Sequence, residues 1–128
     1  MKKTLLLLFV TAFAAVSAFA GKYPSISHDE LKQAVADKSA TIIDVNGSES
    51  YKAGRIPGAI DFGSVGRDLA SVLPADKGAL IVAYCGSPSC GAYARAAEAA
   101  VKLGYTNVKH YSGGISGWKE AGEPTEKG

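Results

Sequence analysis

Residues 79–85 read Ala-Leu-Ile-Val-Ala-Tyr-Cys, a continuous apolar run. A strand that is apolar on both faces belongs in the middle of a parallel sheet, with helices covering it on each side. The flanking segments agree, because they alternate. Ser27 with Glu30 three residues on forms a capping box for a helix that carries Leu31 and Val35 and runs to about Asp37. Ile42, Ile43 and Val45 precede Asn46-Gly47, a buried-strand pattern closed by a turn signal. A weakly helical start at Ser48 breaks at Gly54, and Ile56-Pro57-Gly58 sets a sharp corner before the short apolar stretch from Ala59 to Phe62. Val65, Leu69 and Leu73 stand at four-residue steps and predict one helix of two to three turns from Ser64, ending at Pro74. After the apolar run, Ala92 to Leu103 is a strong helix former closed by Gly104. A last strand, a Gly113-Gly114 turn needing positive φ and a final helical turn complete the chain. The fold class that follows is α/β, a small central parallel sheet with helices on both faces and right-handed crossovers.

Met1 to Ala20 has two lysines, an apolar middle and small residues at Ala18 and Ala20, the pattern of a secretory signal peptide cleaved after Ala20. An uncleaved membrane anchor is the alternative. Cleavage leaves Gly21 to Gly128, which is one domain with a single core. That part carries 12 basic and 12 acidic residues, so charge gives no case for nucleic acid or an anionic membrane as partner, and no stable membrane insertion is expected after cleavage. The leader looks bacterial and makes the periplasm the expected destination, an oxidising compartment.

The apolar run ends in a loop with two cysteines, Cys85-Gly-Ser-Pro-Ser-Cys90-Gly91. In open α/β sheets, ligands sit beyond the carboxyl ends of the strands, where this loop must lie. Its small residues Gly86, Ser87, Ser89 and Gly91 allow backbone amides to turn inward at a helix N-terminus, a setting that favours an anion and lowers a thiol pKa below about 8.5. Strand, cysteine, small-residue loop and helix make a sensible nucleophile site. A structural disulfide between Cys85 and Cys90 is a second reading, favoured by export, although so short a loop constrains the unfolded chain little. Zinc needs four ligands, and the other soft candidates, His28 and His110, stand singly and far apart, so no metal is expected. The spacing is not the Cys-x-x-Cys of a thioredoxin-like pair. A cysteine phosphatase would want an arginine six residues after the nucleophile, where Gly91 and Ala96 stand.

The surroundings of the loop resemble a known family. Asp44, Val45, Tyr51, Gly54, Ile56, Pro57, Gly58 and Ala59 are in register with the D-V-x5-Y-x2-G-H-I-P-G-A segment of rhodanese-like domains. An apolar strand ending in Tyr84-Cys85, an Ala-Ala helix ending Leu103-Gly104-Tyr105, and a closing Gly113-Gly114-x3-Trp118 follow in order, from about Ile26 to Trp118. The resemblance implies a rhodanese-like three-layer sandwich and sulfur transfer at Cys85, which by motif position is the catalytic residue. In that mechanism the thiolate takes the sulfane sulfur of a donor such as thiosulfate and passes it to cyanide, a thiol or another thiophile, and no cofactor is needed. Amides of Gly86, Ser87, Ser89, Cys90 and Gly91 would stabilise the persulfide anion. This chain lacks the usual loop arginine, has Arg55 in place of histidine, and has Asn46 where arginine commonly follows Asp-Val. Arg55 and Arg95 are therefore the candidate anion contacts, and Asp44 a candidate for orienting the loop or capping a turn. Trp118 reads as core packing.

Cys90 has no place in the common family pattern. If the loop curls, it can reach Cys85 and act as a resolving thiol or shield it in a disulfide. Two other function classes stand beside the sulfurtransferase. One is a rhodanese-fold binding or accessory module without turnover, for a periplasmic protein partner. The other is a periplasmic thiol–disulfide partner using Cys85 and Cys90.

Overall fold

A computed structural model describes residues 23–87 and 89–128; the expected leader and Pro88 lie outside the described residues. Strands β1 (Ala40–Asp44), β2 (Ile60–Asp61), β3 (Leu80–Tyr84) and β4 (Val108–Tyr111) form one sheet in the order β2-β1-β3-β4. Every pairing is parallel. The apolar run at 79–85 thus supplies a central strand, for the reason its composition gives. Ile81 and Ala83 enter one core layer with Ile43, Leu69, Ala96, Ala97, Ala100 and Val108. Val82 and Tyr84 enter the opposite layer with Ile42, Leu31, Ile56, Tyr111 and Trp118. Both faces of β3 are buried, so neither can carry a polar side chain without a partner.

Among the described residues, six α-helical segments flank the sheet: α1 (His28–Asp37), α2 (Ser48–Ala53), α3 (Phe62–Val65), α4 (Leu69–Val72), α5 (Tyr93–Lys102) and α6 (Gly114–Glu120). The capping box of α1 forms as expected: the Glu30 amide donates to Ser27 Oγ at 3.1 Å and the Ser27 amide to Glu30 Oε1 at 3.2 Å. Helix α5 presents Ala96, Ala97 and Ala100 to the core, small side chains that let it pack close to Ala83 of β3. One expected element differs. The single helix from Ser64 to Pro74 is three pieces, α3, a 3₁₀ turn over Gly66–Asp68, and α4. Gly66 closes α3 at φ 47°, and Asp61 starts α3 by accepting from the Gly63 amide at 3.0 Å, so the four-residue apolar spacing spans a break.

Strand register places the loop. Asp44 of β1 lies opposite Tyr84 of β3, and Tyr84 opposite Tyr111 of β4, so three strands end at one level and Cys85 stands just beyond it. A buried polar chain ties this edge together. The Ile56 amide donates to the Tyr84 hydroxyl at 3.1 Å, that hydroxyl donates to Asp44 Oδ2 at 2.6 Å, and the Asn46 amide donates to Asp44 Oδ1 at 2.8 Å. Burial pushes the Asp44 carboxyl above its ordinary range, with the bonds from Tyr84 and Asn46 opposing and the nearby Asp61 adding to the rise. The Tyr84 phenol is pushed far upward by burial and by Asp44.

From the other side, α6 closes on the loop. The Ile115 amide donates to the Cys85 carbonyl and the Ser116 amide to the Gly86 carbonyl, both at 3.0 Å. Such an approach requires glycine at 114: a Cβ there would lie 2.7 Å from the Cys85 oxygen and 2.8 Å from the Gly86 carbon, at φ 64°. Of the expected turn pair, Gly114 holds the positive φ and Gly113 does not.

Two outcomes follow for stability. Gly114→Ala costs about 2–4 kcal/mol in urea unfolding, from left-handed strain plus overlap. Gly122→Ala, also at positive φ but with open space around it, costs about 1 kcal/mol; equal costs would show that the α6 contact is not tight. The folded chain holds the Asp44 proton to higher pH than the unfolded chain, so this group's contribution is complete below about pH 3.9 and is lost as pH rises through the raised folded value. Urea midpoints from pH 4 to 7 fall for wild type relative to Asp44→Asn; parallel profiles would contradict the burial argument.

Candidate functional site

Cys85 follows directly on β3 and is 1% exposed. It is bonded to Cys90 in a disulfide, with 6.0 Å between the Cα atoms. The loop between them curls through a hydrogen bond from the Cys90 amide to the Ser87 carbonyl at 3.1 Å, with Ser87 Oγ and Ser89 Oγ 3.3 Å apart. The two bonded sulfurs thus lie between the end of β3 and the start of α5. Cys90 is partly exposed, and its neighbour Gly91 is fully at the surface with open space around it.

The donor that meets the Cys85 sulfur is the backbone amide of Tyr93, at 3.1 Å. Tyr93 is the first residue of α5, so the sulfur also faces the positive end of a ten-residue helix. Both influences favour a thiolate over a thiol, and an anionic persulfide over its acid. Of the expected loop donors, one is turned away from the sulfur. The Cys90 amide is turned to Ser87, and the Gly86 carbonyl is held by Ser116. Asn46 packs against Gly86 so closely that a Cβ at 86 would sit 3.3 Å from Asn46 Oδ1, while Asn46 Nδ2 is buried without a hydrogen-bond partner.

The other sequence candidates divide. Asp44 stands beneath the loop and holds the Tyr84 hydroxyl and the Asn46 amide, both orienting the edge and capping the turn. Arg95 is exposed in the first turn of α5. Arg55 is directed elsewhere. Its Nη1 donates to the carbonyls of Tyr51 at 3.1 Å and Gly128 at 2.9 Å, its Nε lies 3.7 Å from Glu126, and its guanidinium covers the Tyr51 ring. The pairing of its backbone with Glu126 sets that direction, and the side chain pins the end of the chain. His28 bonds Tyr111 Oη at 2.9 Å and Glu123 at 2.8 Å, joining α1 to the segment after α6 beside buried Trp118. His110 stacks on the Tyr93 ring at 3.4 Å between centroids, and burial holds its pKa below the ordinary value. Among the described residues, no three His, Cys, Asp or Glu side chains converge as a metal site. A cavity of about 390 Å³ lies between α1, β1 and the Pro57-Gly58 corner, and no residue of the cysteine loop lines it.

Three functional contributions escaped the sequence reading. The Tyr93 amide and the Ile115 and Ser116 amides are backbone groups, invisible to residue identity. The signals for them were the helix start after the loop and the glycine pair before α6, which marked turns without revealing what the turns approach.

Residues 27–121 match the family described as the rhodanese-like domain. A curated relative, an HTH-type transcriptional regulator of Mycobacterium tuberculosis, is 33% identical over 121 residues; the match covers 91% of this chain, and the chain spans about half, 51%, of that protein. The human single-domain sulfurtransferase superposes with a TM-score of 0.59 at 27% identity, covering 76% of this chain and 96% of its own. A thiosulfate sulfurtransferase of Pseudomonas aeruginosa superposes with a TM-score of 0.68 at 22% identity, over 83% of this chain and 20% of that one, a likeness of fold. With a central strand ending in Tyr84-Cys85, a helix start at its sulfur and a glycine-led α6 behind the loop, this chain belongs to the rhodanese-like domain family.

Proposed function

We propose that the chain is a sulfurtransferase with Cys85 as nucleophile, exported to the bacterial periplasm. The observation that carries this is the Tyr93 amide and α5 N-terminus at the Cys85 sulfur, which stabilise the anion on which the chemistry depends. The reduced Cys85 thiolate attacks the outer sulfur of thiosulfate, the sulfur–sulfur bond of the donor breaks, and sulfite leaves with the electron pair. The persulfide on Cys85 then loses its outer sulfur to cyanide or a thiol, regenerating the thiolate. No cofactor takes part. The oxidised form with Cys85 tied to Cys90 has no free nucleophile, so a reductant must act before the first turnover.

That disulfide is also the observation behind a second reading, in which the chain is a thiol–disulfide partner of another exported protein and transfers no sulfur. The curated relative, of which this chain spans about half, is a transcriptional regulator, and the accessory-module reading draws on that.

Thiocyanate formation from thiosulfate and cyanide separates the readings. Protein reduced beforehand turns over, oxidised protein does not, and Cys85→Ser lowers kcat/KM by about a thousandfold or more. Cys90→Ser keeps activity with cyanide. No thiocyanate and no persulfide with either thiosulfate or polysulfide, from reduced and folded protein, would leave the thiol–disulfide or accessory reading standing.

A further inference from the structure

We infer that Cys90 is a built-in resolving thiol that expels the sulfur carried on Cys85, so that in the presence of thiols the chain turns sulfane sulfur into hydrosulfide. The inference rests on the sulfur-transfer reading and adds to it a second reaction product and a reductant class. Its basis is the coincidence of three features at one atom. The Cys85 sulfur is buried, it receives the Tyr93 amide, and its one remaining bonding position is occupied by Cys90 Sγ. Exchange at sulfur is in line, so Cys90 Sγ must reach the inner sulfur from the side opposite the departing outer sulfur. The disulfide shows that Cys90 Sγ comes into bonding contact with Cys85 Sγ while the Tyr93 amide and the α6 amides hold the loop on either side.

The step balances without an outside oxidant. The Cys90 thiolate attacks the inner sulfur of the Cys85 persulfide, forming the Cys85–Cys90 bond and breaking the bond between inner and outer sulfur. The outer sulfur takes the proton given up by the Cys90 thiol and leaves with the electron pair as hydrosulfide. It is thereby reduced, and the two cysteine sulfurs are oxidised to the disulfide present in the structure. Low-molecular-weight or protein thiols then reopen the pair. A first thiolate attacks Cys90, the partly exposed sulfur, and Cys85 leaves as a thiolate held by the Tyr93 amide. A second thiol displaces the first from Cys90 as a disulfide. For thiosulfate, the cycle consumes two thiols and yields sulfite, hydrosulfide, one disulfide and a proton.

This assigns the two cysteines different directions of reaction. Cys85 accepts sulfur from outside and is the leaving group on reduction. Cys90 attacks inward and is attacked from outside. A disulfide whose role was only to brace the fold would need no such asymmetry of burial and hydrogen bonding.

The test uses the reduced Gly21–Gly128 chain, loaded with thiosulfate, freed of donor and followed by intact mass together with trapping of hydrosulfide by a bimane reagent. Wild type is expected to pass from the persulfide to the disulfide mass, with the loss of two hydrogens relative to the reduced chain, and to release about one hydrosulfide per chain without added thiol. Cys90→Ser is expected to keep the added sulfur and to release hydrosulfide only when a thiol is supplied. If wild type holds its persulfide as long as Cys90→Ser does, the inference is wrong and the sulfur-transfer reading stands. Movement of the intact persulfide to Cys90, located by peptide mapping of wild type, would likewise overturn it. If neither protein takes sulfur from thiosulfate or polysulfide while circular dichroism shows both folded, the sulfur-transfer reading fails and this inference with it.

Discussion

Two backbone hydrogen bonds, from Ile115 and Ser116 to the carbonyls of Cys85 and Gly86, fix the loop on which the chemistry depends. They join the end of the central strand to the start of α6, and glycine at 114 is what lets the two backbones meet. With its first two carbonyls held from behind, the loop turns in one direction only. The Cys85 sulfur is left facing the Tyr93 amide at the opposite wall of the site. Below it, the Ile56–Tyr84–Asp44–Asn46 chain holds the strand edge, so the reactive sulfur is clamped by backbone and buried polar groups instead of by a charged side chain.

In the proposed chemistry this arrangement stands in for the usual loop arginine. An arginine would bring a full positive charge to the anion; here the amide and helix end supply a smaller, preorganised field with no side-chain entropy to lose. Thiol burial acts against ionisation, and the Tyr93 bond and α5 end act for it. Once the disulfide opens, Cys90 no longer covers the sulfur, so part of the burial is relieved while the Tyr93 donor stays where α5 holds it. The Tyr93 amide and the α5 end then favour an anion at the Cys85 sulfur.

What could be read from the sequence follows the strength of local signals. The apolar run of β3 admits one solution, a buried central strand, and the structure has it. The capping box at Ser27 and the alanine face of α5 were equally plain, since each is encoded within a few residues. The helix over 64–74 misled because apolar spacing persists across Gly66, where the backbone turns left-handed and the helix stops. Arg55 misled because a motif position does not say which way a side chain points; its backbone pairing with Glu126, 71 positions along in the chain, decides that. The loop donors were legible only as a class. Which amide meets the sulfur depends on how α5 and α6 dock, and docking is set by Ala96, Ala97, Ala100, Gly114 and Trp118 acting together.

The proposed chemistry depends above all on the two sulfurs being unlike, and the pH at which each thiol becomes reactive measures that directly. Alkylation rates of reduced Cys90→Ser and Cys85→Ser, followed from pH 5 to 10, report Cys85 and Cys90 separately. The predicted result is that Cys85 gains its reactivity at lower pH than Cys90, because the Tyr93 amide and the α5 end favour its anion. A Cys85 reactivity that rises at the same pH as that of Cys90, or at a higher one, would contradict it.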